Sequence, residues 1–222
     1  MVRFLILIST VFLVYSCGVD VKTTEDVTVG TEVAKAAESE QTLAFKEVNA
    51  LLKGEINNPA LYLKRSKLYM KYGDLSSAVD DLDRAIGIDS TAPEYYLLKA
   101  ELLKNQDKLK ESKEVLDKCL NLDNENLNAR IELGWLALVS RNYKQALDYA
   151  DAVLKRDVYN AEAYFLKGMI FEDKGDTARA ISSYVTAIEQ ENDYYEAYMQ
   201  VGLLSFDTEQ KLGKEFIKNA LR

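Results

Sequence analysis

The residues that could do chemistry are few, because histidine is absent from all 222 positions. Histidine is the side chain that most often serves as a general base or a metal ligand. Three carboxylates stand close together at Asp80, Asp81 and Asp83, but on a helix the first two point about 100° apart. We interpret them, with Arg84, as a solvated helix face. The chain is therefore not expected to be an enzyme.

Two further patterns favour structure over chemistry. Residues 123–128 resemble part of a calcium-binding loop, but Leu127 replaces a ligand and Asn128 replaces the turn glycine. A loop between two helices is the better interpretation. Cys119 lies at a position where small core residues recur every 34 residues, in a repeat described below. This position predicts a buried and unreactive thiol. There is no glycine-rich phosphate loop, and we expect neither a metal nor a cofactor.

Cys17 is the candidate for covalent modification. Residues 1–16 begin with one basic residue and continue in an apolar run, 4–14, that is short for a bilayer span. Val14, Ser16 and Cys17 resemble the lipobox of bacterial lipoproteins, although Tyr15 is bulkier than usual there. The resemblance implies a signal peptide over 1–16, acyl chains (palmitate among them) on Cys17, and membrane attachment. The alternative is an ordinary secretory signal with a coincidental cysteine.

The residues after Cys17 bear on the membrane that would hold it. Gly18 resembles lipoproteins that are sent to an outer membrane, whereas Asp20, Glu25 and Asp26 could belong to an acidic surface-export signal. The expected location is therefore the cell envelope, lipid-anchored, at the periplasmic face or the surface of the outer membrane. Residues 17–39 lack aromatic side chains and a sustained helical stripe, and we interpret them as a flexible tether.

Most of the remaining chain repeats every 34 residues without an insertion or deletion from 59 to 194. Small residues recur at two offsets, one in each half of the repeat: Ser66, Ala100, Gly134, Gly168 and Gly202, and Ala78, Ser112, Ala146 and Ala180. Tyrosine recurs at a third offset, with one departure at Arg130: Tyr62, Tyr96, Tyr164 and Tyr198.

This pattern resembles the tetratricopeptide repeat (TPR), a helix–turn–helix unit of 34 residues. The resemblance implies an all-α solenoid in which a small residue of one helix faces a large residue of its partner. The predicted units are 59–92, 93–126, 127–160, 161–194 and a shortened 195–222. Residues 40–58 are expected to form a capping helix or half repeat over the apolar end of the first unit.

In this family the first helix of each unit lines a concave groove. Carried over residue by residue, the candidate partner-binding side chains are Leu63, Lys67, Met70, Leu97, Glu101, Ile131, Trp135, Leu138, Phe165, Met169, Met199 and Leu203. The lysine and asparagine of the carboxylate clamp found in chaperone-binding relatives are missing from the matching positions. Trp135, Met169 and Met199 could equally pack inside the protein, because apolar residues at helical spacing often do.

Composition narrows the class of partner. The formal net charge of −8 argues against nucleic acid. We therefore expect a protein or peptide partner, bound in the groove of a membrane-anchored scaffold that assists assembly of an envelope complex. The alternative is a structural array that self-associates through its C-terminal repeat and has no dedicated peptide ligand.

Cys17→Ala tests the proposed anchor. Each buried methylene of an acyl chain contributes about 0.8 kcal/mol, so losing all chains should release the protein from membranes in a flotation assay. Cys119→Ala, which removes the other cysteine, should leave membrane association unchanged. Membrane association of Cys17→Ala equal to that of the parent chain would contradict the lipoprotein interpretation.

Overall fold

The computed structural model describes residues 25–206 and 210–221, with side chains from residue 40 onward. These residues lie in eleven α-helices joined by turns, and the part described contains no β-strand. The chain divides into two compact units, 1–43 and 44–222. The helices are α1 Glu25–Gly54, α2 Pro59–Lys71, α3 Leu75–Ile88, α4 Pro93–Asn105, α5 Leu109–Leu122, α6 Leu127–Val139, α7 Tyr143–Leu154, α8 Ala161–Asp173, α9 Thr177–Gln190, α10 Tyr195–Phe206 and α11 Gln210–Ala220.

The helix boundaries confirm the predicted repeat. The first helices of the five units, α2, α4, α6, α8 and α10, begin at residues 59, 93, 127, 161 and 195, which are the unit starts derived from the sequence. Each pairs with the helix that follows it, from α2 with α3 to α10 with α11, and successive pairs pack on one another. We call α2, α4, α6, α8 and α10 the A helices and their partners the B helices.

Local sequence sets these boundaries. Asn or Asp side chains accept hydrogen bonds from backbone N–H groups in the first turns of α2, α3, α6, α7, α8 and α9, which satisfies groups that a helix start leaves unpaired. The turn between A and B helices places one residue in the left-handed region in each of the first four units: Gly73, Asp107, Arg141 and Gly175. Glycine adopts this conformation without steric cost.

The paired helices approach closely at the small residues. A Cβ added at Gly168 would lie 2.4 Å from the Tyr184 ring, so only glycine leaves room for that side chain. In the first two units a serine hydroxyl spans the same contact: Ser66 donates to the carbonyl of Ala78, and Ser112 donates to that of Ala100, each at 2.8 Å. The close contact thus buries a polar group without leaving it unpaired.

The repeated tyrosine bonds the A helix to the preceding loop in the first, second and fourth units. The hydroxyls of Tyr62, Tyr96 and Tyr164 donate to carbonyls six residues upstream, at 2.9, 3.0 and 3.2 Å. Arg130, the departure from the tyrosine pattern, donates from its guanidinium to the carbonyl of Asn124, again six residues upstream. The substitution therefore preserves the interaction while changing the chemical group that makes it.

The N-terminal helix is longer than the sequence predicted. Residues 25–39, interpreted as part of a flexible tether, belong to α1, which continues to Gly54. Within residues 44–222, the end of α1 acts as the expected half repeat. Val48 is fully buried, and Leu52 packs with Tyr62 and Leu82. Cys17 lies outside the described residues.

The C-terminal unit forms a shortened helix pair, as predicted. Gly202 and Gly213 face each other so closely that a Cβ at Gly213 would lie 2.8 Å from the Gly202 carbonyl oxygen. Phe216 packs on Tyr198, with ring centroids 6.1 Å apart. On α10, Leu203 remains 55% exposed.

The acidic group at 80–83 is not the uniformly solvated face that we expected. Asp81 is 3% exposed and accepts two hydrogen bonds from Arg65, at 2.6 and 2.7 Å. Asp80 and Asp83 are exposed, and Asp83 pairs with Lys99. The prediction was wrong for Asp81 because its partner lies on the preceding helix.

Ala180→Leu tests the close helix contact in the fourth unit. Ala180 is fully buried, so the larger side chain should lower the free energy of unfolding by about 1–3 kcal/mol through overpacking. Ala178→Leu makes the same change at an exposed position of α9 and should stay within about 0.5 kcal/mol of the parent chain. Equal urea midpoints for both variants would contradict the packing described.

Candidate functional site

The A helices form a face that carries three consecutive depressions, which together we call the groove. On this face α4 contacts α6 and α6 contacts α8, so the A helices lie side by side. Because the B helices pack against the opposite sides of the A helices, this face keeps side chains that no neighbouring helix covers.

The first two depressions are small and lined by both apolar and acidic side chains. The first, about 220 Å³, lies between α2 and α4 and is lined by Leu63, Lys67, Glu94, Leu97, Leu98 and Glu101. The second, about 240 Å³, lies between α4, α6 and α8 and is lined by Leu97, Glu101, Asn128, Ile131, Glu132 and Glu162. Leu97 and Glu101 border both, so the two depressions are continuous.

The third depression is the largest, about 570 Å³, and lies between α6, α8 and the turn after α6. Its lining residues are Trp135, Leu138, Val139, Arg141, Met169, Glu172 and Asp173. Trp135 packs on one side against Phe165, with ring centroids 6.0 Å apart, and borders the depression on the other. The two interpretations of Trp135, internal packing and partner contact, are therefore compatible in this geometry.

Several groove carboxylates already have partners. Lys104 pairs with Glu132 at 2.6 Å, across α4 and α6. The buried Tyr184 hydroxyl donates to Glu172 at 2.6 Å, and Tyr143 donates to Asp173 at 2.8 Å. Burial and the bond to Glu172 raise the pKa of Tyr184 far above its usual value. The two tyrosine contacts orient Glu172 and Asp173 along the rim of the third depression.

The carboxylates nearest the second depression are less fully matched. Glu162 is exposed at the protein surface, but neighbouring groups screen its carboxyl from part of the solvent and raise its pKa, while the nearby Trp135 indole opposes that shift. Glu132 raises the pKa of Glu162 further by repulsion, and Lys104 lowers it. Among the described residues, no ion pair or side-chain hydrogen bond engages the carboxylates of Glu94 and Glu101, which both line the first depression. This part of the groove therefore holds negative charge that the protein itself does not neutralise.

The structure brings most of the predicted groove residues to one face. Eight of the twelve border the three depressions: Leu63, Lys67, Leu97, Glu101, Ile131, Trp135, Leu138 and Met169. Ile131 and Leu138 are mostly buried, at 2% and 8% exposure, so each offers only a small surface. The binding role of these residues stays a prediction.

Four predicted residues lie outside these depressions. Phe165 is buried between Trp135, Tyr184 and Tyr194, with the last two ring centroids 5.2 and 5.1 Å away. The other three are Met70, half-buried against α3, and Met199 and Leu203 on α10.

Nine lining residues are absent from the predicted set, and three of these also lie outside the groove positions of the family: Leu98, Glu132 and Arg141. Leu98 and Glu132 occupy the sixth position of their units. The sixth position is not among those that line the groove in the family. Each directly follows a predicted groove residue on the same helix, so a broader stripe would have included them.

The described part of the chain offers little for metal or thiol chemistry. Residues 40–206 and 210–221 contain no cluster of acidic, histidine or cysteine side chains arranged to hold a metal ion. Cys119 is fully buried, its thiol donates to the carbonyl of Pro93 at 3.4 Å, and burial raises its pKa. The predicted buried thiol is confirmed. None of the helices in the described part of the chain is both long and apolar enough to cross a bilayer.

Glu162→Gln tests the unmatched charge in the groove. When folding raises the pKa of a carboxyl, the free energy of unfolding falls as that carboxyl ionises with rising pH. The variant should therefore raise the free energy of unfolding near pH 7, by less than about 1 kcal/mol at this solvated position. The gain should fade below the ordinary glutamate pKa of about 4.3, where the carboxyl is neutral in both states.

Glu189→Gln is the matched control, because Glu189 is exposed on the outer helix α9. Stability would be measured by urea unfolding at pH 7 and at a pH below about 4.3. Glu189→Gln should leave the urea midpoint unchanged at both. A Glu162→Gln variant that is less stable than the parent chain at pH 7 would show that the carboxylate is well accommodated.

Comparison with known proteins gives the same assignment from sequence. Family models described as tetratricopeptide repeat match residues 93–126 and 131–198. DnaJ homolog subfamily C member 3 of Rattus norvegicus is 24% identical over 205 residues, covering 86% of this chain and 40% of that protein. The human mitochondrial import receptor subunit TOM70 is 25% identical over 202 residues, covering 87% of this chain and 32% of the relative. The chain thus spans less than half the length of these relatives.

Solved structures share the fold. MamA of Desulfovibrio magneticus superposes with a TM-score of 0.60 at 21% identity, over 73% of this chain and 93% of that one. YrrB gives 0.55 at 21% identity, over 78% and 90%. PilF of Pseudomonas aeruginosa gives 0.66 at 14% identity, over 76% and 77%. Repeat spacing, helix boundaries and the two family-model matches lead to one conclusion: the chain is a tetratricopeptide repeat protein, which is a protein-interaction module.

Proposed function

We propose that this protein is a membrane-anchored scaffold of a bacterial cell envelope, which holds a peptide or helix of a partner protein in the groove and so assists assembly of an envelope complex. The observation that carries the proposal is the third depression, whose lining combines the only tryptophan of the chain with Leu138 and Met169. Tryptophan is enriched among residues that anchor protein interfaces, and methionine adapts to varied apolar surfaces.

The size of the groove favours a polypeptide over a small molecule. Its three depressions follow successive A helices from Leu63 to Met169, and their carboxylates leave polar edges around apolar floors. An extended or helical segment fits such a strip because its side chains can enter depressions that lie one after another. The structural neighbour YrrB is described as having an unusual peptide-binding site, which is consistent with this use of the fold.

The proposed anchor rests on the sequence around Cys17. A lipobox-like ending after a short apolar run supports cleavage before Cys17 and acylation of its side chain. Acyl chains at that residue would hold the protein at a membrane of the envelope, with the outer membrane favoured by Gly18. We further propose a binding role without catalysis, since histidine is absent from the chain.

A second candidate function is a self-associating array. The observation in its favour is the C-terminal helix pair, on which Leu203 and Phe206 are 55% and 38% exposed. Charged substitutions at Phe216 or Ile217 of α11 would not test self-association alone. Both side chains pack against α10, so such a change would also disturb the fold.

Val139→Arg tests the groove with little risk to the fold. Val139 borders the third depression and is 63% exposed, so an arginine there should obstruct the depression while leaving the core intact. The matched control is Val158→Arg, which adds the same charge at an exposed loop position outside the groove. The measurement is crosslinking in envelope membranes followed by capture of the full chain.

One partner captured by the parent chain and by Val158→Arg, but reduced at least tenfold for Val139→Arg at equal abundance, is the expected result. The same partners for all three chains would reject the groove as the binding surface. Capture of the protein alone would instead favour the self-associating array.

A further inference from the structure

Resting on the proposed function, we infer that the segment held in the groove is a basic amphipathic one. It places a large apolar side chain in the third depression and lysine or arginine side chains beside Glu94, Glu101 and Glu162. The same groove would discriminate against neutral and acidic segments.

The apolar contact is provided by the third depression. Its volume of about 570 Å³ and its floor of Trp135, Leu138 and Met169 suit one large aliphatic or aromatic side chain. Val139 at its rim is 63% exposed, although valine is among the residues most often buried in proteins. An apolar side chain seated there would remove both Val139 and the Trp135 edge from water.

The charge of the groove selects the rest of the segment. The side chains that line the three depressions include six carboxylates but only two cationic groups, Lys67 and Arg141. Lys104 offsets Glu132, whereas Glu94 and Glu101 have no ion-pair partner among the described residues. Glu162 lines the second depression on α8, the helix that also carries Met169 of the third, which places a carboxylate near the apolar depression.

The occupant must therefore bring positive charge close to an apolar side chain. A cation near Glu162 would stabilise its ionised carboxylate, and another would neutralise Glu101 between the first and second depressions. Complementary charge also accelerates encounter and penalises partners of the wrong sign.

The negative charge of the groove disfavours two other occupants. Residues 18–39 of this chain carry five acidic and two basic side chains, so this segment would add negative charge to an acidic groove. A second copy of the chain carries a formal net charge of −8 and faces the same repulsion. A basic partner segment is the occupant that the charges favour.

Trp135 provides the readout, because it is the only tryptophan and borders the third depression. The purified full chain would be titrated with three helical peptides of equal length. All share one phenylalanine on a leucine face, and the opposite face carries lysine, glutamine or glutamate. The affinity obtained from the change in Trp135 emission should be at least about tenfold higher for the lysine peptide than for the other two. Added salt should reduce this difference in affinity.

The double variant Glu101→Gln/Glu162→Gln should bind the lysine peptide about threefold to tenfold more weakly, as expected for two solvated charge pairs. Glu111→Gln/Glu114→Gln removes the same charge from exposed positions of the outer helix α5 and should bind like the parent chain. Circular dichroism of both variants would establish that the fold is retained.

Equal binding of the lysine and glutamine peptides would overturn the inference on charge and leave the proposed groove function standing. Loss of affinity in the control variant as large as in the groove variant would overturn it as well, because net charge would then be responsible. If no peptide altered Trp135 emission while Val139→Arg still abolished partner capture, the groove would bind a segment of other chemistry. A change in emission on deleting residues 18–39 would assign the groove to the chain's own segment.

Discussion

The close approach of two antiparallel helices at one small residue is the constraint on which this structure depends. Gly168 leaves room for Tyr184, Gly202 and Gly213 bring α10 against α11, and Ser66 and Ser112 span the same contact with a hydroxyl. A larger residue at these points would separate the helices of a pair. Since each pair packs on the next, the separation would be passed along the array.

This packing also explains where the groove is. The B helices fill the space between pairs with side chains such as Leu82, Leu116 and Tyr184, all fully buried. The A helices meet one another only along narrow edges, so Trp135 and Met169 pack inward on one side and border open depressions on the other. Core and candidate site therefore share residues, and stability and binding will be affected together by changes at Trp135.

The sequence predicted what is local and periodic, and missed what depends on a distant partner. Unit boundaries followed from small residues recurring every 34 positions, and eight groove residues followed from their place within the unit. Burial of Asp81 could not be foreseen, because Arg65 reaches it from the preceding helix. Phe165 satisfied the groove pattern, yet three aromatic neighbours hold it inside. The start of α1 was missed because its threonines, valines and Gly30 have low helix propensity.

The bond that ties α2, α4, α6 and α8 to the loop before each of them has a consequence for how such a chain can change in length. Tyr62, Tyr96, Arg130 and Tyr164 all reach a carbonyl six residues upstream, so the loop between units has a fixed span. One added or deleted loop residue would move that carbonyl out of reach and rotate the next helix pair. Gain or loss of a complete unit leaves every such bond intact. Duplication and deletion of whole repeats are thus the changes in length that this architecture tolerates.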